Sequence, residues 1–584
     1  MIGKTSNKNV VRTDNNPAYL FIRPRRFGKT LNLNTIASFC QLNYQKPGDK
    51  SYQEKYFLDN GRNLAVAHNS CKDLRDKFMG EFPVIWISFK DIEGDSYIKT
   101  LSKMLNLIYC LYLDFEFVEE SSKLSKNLRD DFVYTINFCK NNRGKLFTKD
   151  LVIEAELIAG NFLSNLALIL YKEYGRKVMI FIDEYDVPLQ KSLIAKEPYY
   201  DKMLAIIRDI SSQTFKPGRV EWLYRGIVTG CLKIAHQSIF TGANNFTLNG
   251  LDEKKYAGFF GFTRSETEKL LNDCELSPQV NLVKDWYDGY RIGDEHIFCP
   301  WSVLRFCNKA LQDQSSVEPE PFWVNTSGND IINLYLERTV NGNLPHDIQR
   351  MEDLLNDVPQ QIIIQDFETY PDIRQKGVSF DTCMTLLLQT GYLTFTDDSP
   401  LSKNVFLKIP NREIREYFEQ KLAWLYSESN PVWFKRGKKL LDHLLANETN
   451  DVCTVINQFL THFISIRNTG HEFYYHGFLL DILTMVAPIK GVELKSEQET
   501  SDGYSDIIIS NANSGTIVIL ELKRAENDDE KRRLAANNAA KQIINKKYVD
   551  GFDKSVYTKI YGLGVGFGGK ACTIKPLDNL LEMT

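Results

Sequence analysis

Short apolar runs bounded by charged and turn residues mark the first part of the chain: Ala18–Ile22, Phe82–Phe89, Val178–Ile182 and Trp222–Thr229. Runs of this length without polar alternation predict strands buried on both faces. Segments of helical character separate them, including Leu31–Leu42 and the long Asp150–Tyr174. Strands alternating with helices predict a parallel α/β sheet over residues 1–250. From Asp252 to about Asp451 the texture changes to amphipathic stretches such as Arg264–Asn272 and Asn411–Tyr426. These predict a mostly helical middle region, 251–451, with few strands. The last part, 452–584, opens with helical segments and then shows Tyr504–Ser510, a turn-rich Asn511–Gly515 and Thr516–Lys523, the pattern of a β-hairpin. There is no internal repeat or low-complexity tract, and the acidic Glu526–Glu530 is expected as a solvated turn. The fold class is α/β, multidomain.

Length and charge narrow the function classes. A chain of 584 residues is too long for one hydrophobic core and predicts two to four domains. The 71 Lys and Arg against 75 Asp and Glu exclude a uniformly basic nucleic-acid binder but leave room for a local basic face. The 11 cysteines are scattered, with no C-x-x-C spacing, so neither a zinc ribbon nor a redox dithiol is indicated. An odd count without an apolar N-terminal stretch points to a reducing, intracellular and cytoplasmic setting. No uninterrupted apolar run approaches the roughly 18 residues of a spanning helix, so no membrane partner is expected.

The first concentration of chemistry lies between a strand and a helix, at Arg23-Pro-Arg-Arg-Phe-Gly-Lys-Thr30. A P-loop needs a glycine turn whose amides face phosphates, a lysine for the β and γ phosphates, and a hydroxyl for magnesium. Gly28, Lys29 and Thr30 fill these roles, while Arg23 replaces the usual first glycine. The strand Val178–Ile182 runs into Asp183 and Glu184, a Walker-B arrangement in which Asp183 holds magnesium through water and Glu184 polarises an attacking water. The alternative is a surface lysine at a helix start and a polar strand end. Arg208 and Arg225 are candidates for transition-state stabilisation by domain membership only, with structural salt bridges as the competing role.

A second concentration lies at the C-terminal hairpin. With the turn centred near Asn513, antiparallel pairing sets Asp506 opposite roughly Leu520 and hence beside Glu521. Glu521 and Lys523 share one strand face, and Leu522 points into the core. An Asp, a Glu and a Lys so gathered suit metal-dependent phosphodiester hydrolysis, with Asp506 and Glu521 as magnesium ligands. Glu472, at the start of a helix to Met485, is a further candidate for a metal contact. Gln542 lies on a helix over about Asp529–Tyr548 that also carries Lys531, Arg532, Arg533, Lys541, Lys546 and Lys547. Basic residues there suit backbone phosphates. The competing readings are edge-strand charges that discourage aggregation and an ordinary solvated helix face.

At these residues the chain resembles AAA-ATPase-like proteins with a C-terminal domain of the PD-(D/E)XK nuclease superfamily. Arg23–Thr30 resembles the family's R-P-R-R-F-G-K-[ST], Ile182–Asp186 its I-D-E-Y-D, and Ile227–Gly230 with Ser238–Asn245 its T-G and S-I-F-S-G-x-N-N segments. Phe259–Thr263, Trp286–Tyr290, Pro300–Ser302 and Glu472–Gly477 resemble further family blocks. The resemblance implies a P-loop AAA-ATPase-like domain over 1–250, a helical lid over 251–451 and a nuclease-like domain with a restriction-endonuclease-like fold over 452–584. It implies nucleotide contacts from Arg26 and Phe27, with Thr229, Asn244 and Asn245 near the γ-phosphate or in turns. It also implies nuclease roles for Glu472, Glu499, Gly503, Asp506, Glu521, Lys523 and Gln542. Ser505 stands where the superfamily name advertises a proline, and Met1–Thr5 resembles the end of a segment usually preceded by more residues.

The expected function is an ATP-binding ATPase coupled to a Mg²⁺-dependent nuclease acting on DNA, with a defence role as an analogy of architecture. The expected cofactors are ATP and Mg²⁺, and an oligomer is compatible with this reading. The competing expectation is a nucleotide-dependent switch or scaffold whose last domain binds nucleic acid or a partner without cleaving.

Overall fold

The computed structural model describes residues 18–582 apart from 59–60, 62–63, 145–146, 148, 196–198, 216–220, 234–245, 313–317, 324–349, 352, 356, 366–378, 420–430, 464–471, 488–491, 501–502, 546–551, 553–555 and 578. Met1–Thr5, Asn244, Asn245, Lys546 and Lys547 lie outside the described residues. The chain forms two compact units, Met1–Tyr335 with His346–Arg415, and Leu336–Pro345 with Glu416–Thr584.

In the first unit, β1 (Ala18–Ile22), β2 (Val84–Ser88), β3 (Val178–Asp183), β4 (Leu223–Gly230) and β5 (Phe246–Asn249) form one parallel sheet in the order β2-β3-β4-β1-β5. The first four correspond to the four apolar runs. The fifth reads Phe-Thr-Leu-Asn, too short and too polar to stand out in the sequence. Strand residues alternate between two cores, as a pleated sheet covered on both faces requires. Leu20, Ile22, Ile180 and Ile182 pack on one face with Tyr97–Leu113, Lys126–Asn142, Lys149–Tyr174 and Tyr200–Phe215. Tyr19, Phe21, Met179 and Phe181 pack on the other with α1 (Lys29–Cys40). Burying each such side chain contributes about 1.5–3 kcal/mol before chain entropy is charged against it.

The helix Lys149–Tyr174 is the one helix among the described residues long and apolar enough to cross a membrane, over Asp150–Tyr174. Its inner face, with Ala159, Phe162, Leu163, Leu166 and Leu170, is sealed in the core of the first unit.

The middle region carries many helices, among them α2 (Arg264–Asp273), α3 (Val280–Tyr287), α4 (Pro300–Gln312) and α5 (Phe380–Thr390). It also contains two small antiparallel sheets that hydrophobic patterning did not reveal, β6 (Phe262–Thr263), β7 (Tyr290–Ile292) and β8 (Glu295–Phe298), then β9 (Gln360–Ile363), β10 (Thr394–Phe395) and β11 (Asn404–Lys408). Strands of two to five residues are too short to establish a period of two.

The second unit has a five-stranded mixed sheet in sequential order: β12 (Glu493–Thr500), β13 (Gly503–Asn511), β14 (Thr516–Arg524), β15 (Lys559–Gly568) and β16 (Ala571–Leu577). Only β14 and β15 run parallel, and α9 (Asp529–Asn545) makes the crossover between them. Three earlier helices, α6 (Pro431–Leu445), α7 (Thr449–Phe463) and α8 (Glu472–Val486), cover the face formed by Val518, Leu520, Leu522, Leu563 and Val565. The opposite face, with Ile508, Ile517 and Ile519, receives Ala540 and Ile543 of α9.

Glycines on β15 set how closely α9 approaches. A Cβ on Gly564 would lie 2.3 Å from the Ala536 carbonyl oxygen and 2.4 Å from the Ala540 nitrogen, and one on Gly566 would lie 2.1 Å from the Arg532 carbonyl oxygen. Ala536 and Ala540 are equally small on the helix side, so the two backbones nearly touch.

Candidate functional site

The loop between β1 and α1 is built from the inside outwards. Arg23 is fully buried, and its guanidinium donates to the carbonyls of Ile22, Asn249 and Gly250 at 2.7, 2.9 and 2.8 Å. Burial lowers its pKa to about 10 against the pull of Asp252 and Glu253. This arginine therefore ties the end of β1 to the end of β5, and its place in the missing-glycine position is structural. Phe27 is fully buried with its ring edge-on to Tyr290 at 4.9 Å, and its carbonyl accepts from Gly261 at 3.2 Å. Both anchors hold the loop, and Phe27, fully buried, shapes it from within.

Arg26, between the anchors, is exposed in a left-handed conformation (φ 67°), its guanidinium 4.4 Å from the centre of the Trp301 indole. Gly28 begins α1 at φ 75°, a conformation that glycine adopts without the steric cost other residues carry. The first-turn amides of α1 point out of the helix N-terminus, where phosphates bind.

Lys29 is buried, and its ammonium donates to the carbonyls of Pro24 at 3.0 Å and Arg23 at 3.2 Å, with the Cys231 thiol also at 3.2 Å. Desolvation opposes its charge, but Cys231, Glu184 and Asp186 outweigh it and raise the pKa. The lysine stays protonated.

The strand order explains what meets Lys29 and Thr30. Because β4 lies between β1 and β3, and Ile182 pairs with Val228, the ends of β3 and β4 are level. Asp183, nearly inaccessible, accepts from the Thr229 hydroxyl at 2.6 Å and from the Thr30 hydroxyl at 2.6 Å. Thr30 itself sits at the surface. A carboxylate joined to a hydroxyl at the mouth of a helix N-terminus is a suitable donor set for a divalent cation carried by a nucleotide.

Glu184 follows in a left-handed conformation (φ 55°), half-buried. Burial raises its pKa, opposed by Lys29 and Arg25 and reinforced by Asp186 and Asp183. Asp186 closes the site from behind. Its Oδ2 accepts from the amides of Cys231 and Leu232 at 3.0 and 2.8 Å and from the Gln190 amide at 2.6 Å.

Arg208 is exposed on the helix Tyr200–Phe215. Arg225 lies four residues back from Thr229 along β4, with its guanidinium near the Tyr19 and Tyr224 rings at 5.2 and 5.8 Å. Neither joins the Lys29 and Asp183 cluster. Arg25, passed over in the sequence, is nearer, bonded to Gln190 at 3.3 Å and within electrostatic reach of Glu184 and Asp186. Asp186 and Cys231 were also missed as site residues. The first was signalled by its place in the block Ile182–Asp186, whereas Cys231 has no motif and reaches Lys29 only through the fold.

In the second unit the hairpin pairs Ile507 with Leu520 and Asn511 with Thr516, one step from the register expected. Among the described residues the ladder runs no further than the Ile507–Leu520 pair, and position 506 is the next residue of β13 beyond it. The side chains of Asp506, Glu472 and Glu499 lie outside the described residues, and their backbones occupy β13, the first position of α8 and β12 respectively. Leu522 is buried in the core as expected, and Glu521 and Lys523 share the α9 face.

Glu521, a carboxylate within an otherwise apolar stretch of β14, is 1% exposed. The Gln542 amide donates to its Oε1, and the Lys523 ammonium lies 3.9 Å from the same oxygen. Burying a carboxylate is costly unless charge or hydrogen bonds compensate it. The cluster of carboxylate, amide and ammonium fits a divalent cation held in part by Glu521.

On α9, Lys531, Arg533 and Lys541 are exposed. Arg532 is turned inward, bonded to the Gly568 carbonyl at 3.2 Å and paired with Asp529, so it leaves the basic face expected of this helix.

The first unit thus has a parallel sheet with a glycine turn between β1 and α1, and the second a mixed sheet with the buried carboxylate of Glu521. Residues 2–240 match the family described as predicted AAA-ATPase, and residues 470–576 match the PD-(D/E)XK nuclease superfamily. The chain has the architecture of an AAA-ATPase-like protein with a C-terminal PD-(D/E)XK nuclease superfamily domain. It is similar to an uncharacterized protein encoded in the vnfD 5' region of Azotobacter chroococcum mcd 1, 22% identical over 409 residues that cover 67% of this chain and 70% of the relative. No solved structure matches. The two domains point to hydrolase chemistry, and the nuclease-superfamily domain to nucleic acid as a partner.

Proposed function

We propose that the chain is an ATP-binding ATPase coupled to a Mg²⁺-dependent nuclease that acts on DNA. The observation that carries this reading is Glu521, a wholly buried carboxylate beside the Lys523 ammonium and the Gln542 amide, in a chain whose first unit is AAA-ATPase-like.

In the first unit, the α1 amides and Lys29 bind the phosphates, and Thr30 and Asp183 would hold Mg²⁺. Thr229 fixes the Asp183 carboxylate, and Glu184, with its raised pKa, is the base that orients the attacking water. In the second unit, Asp506 and Glu521 would hold Mg²⁺, with Glu472 contributing at the helix start. Bound Mg²⁺ supplies charge neutralisation for an attacking hydroxide and the phosphodiester. Lys523 steadies charge developing on the phosphate, and Gln542 keeps Glu521 oriented. Lys531, Arg533 and Lys541 offer backbone phosphate contacts.

The test is cleavage of plasmid and linear DNA with Mg²⁺ by the full-length chain and by Asp506→Ala and Lys523→Ala. Cleavage lost in both variants is expected. Cleavage that survives both changes sinks the nuclease assignment, and a protein that binds ATP but nicks nothing under any divalent metal is a switch or scaffold.

A further inference from the structure

We propose that Cys453 and Cys572 form a redox-modification site, which a hydroperoxide converts to an intramolecular disulfide. The two residues are 119 positions apart, on α7 and at the start of β16, and their sulfurs are 3.8 Å apart. A disulfide bond is about 2.05 Å, so closure needs the sulfurs to move together by roughly 1.8 Å, within reach of side-chain rotation.

Asn457 holds the pair in register. Its side-chain oxygen accepts from the Cys572 amide at 2.7 Å, and its amide nitrogen donates to the Cys453 sulfur at 3.5 Å. Cys453 is half-buried, whereas Cys572 is 5% exposed. The Cys572 thiol, resisted by burial, with the Asn457 amide and the charge of Arg532, lowers the Cys453 pKa to about 7. Cys572 is pushed well above the usual thiol range, first by its bond to Cys453 and then by burial. One thiolate-prone sulfur beside one protonated sulfur is the arrangement of an attacking and a resolving thiol. Cys307, by contrast, has Cys274 beside it and is pushed up to about 12 by burial.

The Cys453 thiolate attacks a hydroperoxide oxygen and breaks the O–O bond, giving a sulfenic acid and, after protonation, water or an alcohol. The Cys572 sulfur then attacks the sulfenic sulfur, loses its proton and expels hydroxide, which leaves as water. Two thiols are oxidised by two electrons and one hydroperoxide is reduced. The bond would staple α7, which precedes the nuclease-superfamily match at 470–576, to the edge strand of the sheet.

The experiment treats full-length protein with hydrogen peroxide and maps its peptides without reductant. A Cys453–Cys572 linked peptide, about 2 Da lighter than its two thiol parts and lost on reduction, is expected. Cys572→Ser should leave Cys453 as a dimedone-reactive sulfenic acid, and Cys453→Ser should abolish the link. Oxidation of the exposed Cys110 with Cys453 and Cys572 both left as thiols overturns the proposal. A measurement on unmutated protein guards against variants that misfold. Cys453 alkylation should show a pH midpoint of about 7, and a midpoint in the ordinary thiol range, about 8.5, counts against it.

Discussion

The Thr229 hydroxyl donates to the Asp183 carboxylate at 2.6 Å, and this bond joins the ends of two neighbouring strands, β4 and β3. Thr30 reaches the other oxygen of the same carboxylate from α1. Three separate elements therefore fix one buried acid. Thr229→Val keeps the side-chain shape and removes the donor. It should reduce nucleotide hydrolysis and Mg²⁺ affinity by roughly 10- to 100-fold, the usual cost of losing a partner that orients a ligand. Steady-state hydrolysis across a Mg²⁺ titration checks it. Unchanged Mg²⁺ dependence would mean that Thr229 serves packing alone.

Lys29→Ala removes the ammonium that the loop carbonyls and Cys231 hold in place. Charged hydrogen bonds are worth about 1.5–3 kcal/mol each, so nucleotide affinity should fall by roughly 10- to 100-fold. Calorimetric titration with ATP and Mg²⁺ reads this directly, and affinity equal to the parent chain's would remove Lys29 from the phosphate site.

As the proposed base, Glu184 works only when ionised, and burial raises its pKa above the ordinary 4.5. Hydrolysis should therefore fall as pH drops through that raised value, with an acid limb above the usual carboxylate range. Glu184→Gln should abolish turnover at every pH while preserving ATP binding. Its effect on stability has a definite sign. Folding favours the protonated carboxyl, so the stabilisation it brings is present below pH 4.5 and is lost as pH rises through the folded pKa. Glu184→Gln should accordingly stabilise the protein at neutral pH relative to the parent and lose that advantage in acid. Urea unfolding at pH 4 and pH 7.5 tests the difference.

Much of this site could be read from residue order. Asp183 and Glu184 lie at the end of a strand that its apolar run announces, Gly28, Lys29 and Thr30 lie where a helix follows another such run, and the hairpin around Glu521 follows from simple alternation. What was not legible depends on strand order and close packing. Arg23 looks like a broken motif until β5 is seen beside β1, where its guanidinium bonds the carbonyls of Asn249 and Gly250. Arg532 is one of several basic residues on α9 until the glycines of β15 draw that helix close and bury it. Cys453 and Cys572 look scattered because 119 residues separate them.

The same close approach yields a test of the second site. Gly564 pairs with Glu521 in register and admits the backbone of α9, which carries Gln542. Gly564→Val must push the helix outward, since no flexible side chain can yield to the added Cβ. The expected loss is at least about 1–3 kcal/mol of stability, typical of overpacking. Denaturant unfolding measures it, and a neutral effect would show that α9 is not held against β15.

The coupling of the two sites is most directly tested by the rate of DNA cleavage in Mg²⁺, with and without ATP, for the parent chain, Lys29→Ala and Glu521→Gln. Cleavage by the parent should change on adding ATP, cleavage by Lys29→Ala should be insensitive to ATP, and Glu521→Gln should cleave in neither condition. A Glu521→Gln protein that cleaves DNA at the parent rate would contradict a nuclease centred on Glu521, and a parent rate indifferent to ATP would contradict control by the nucleotide site.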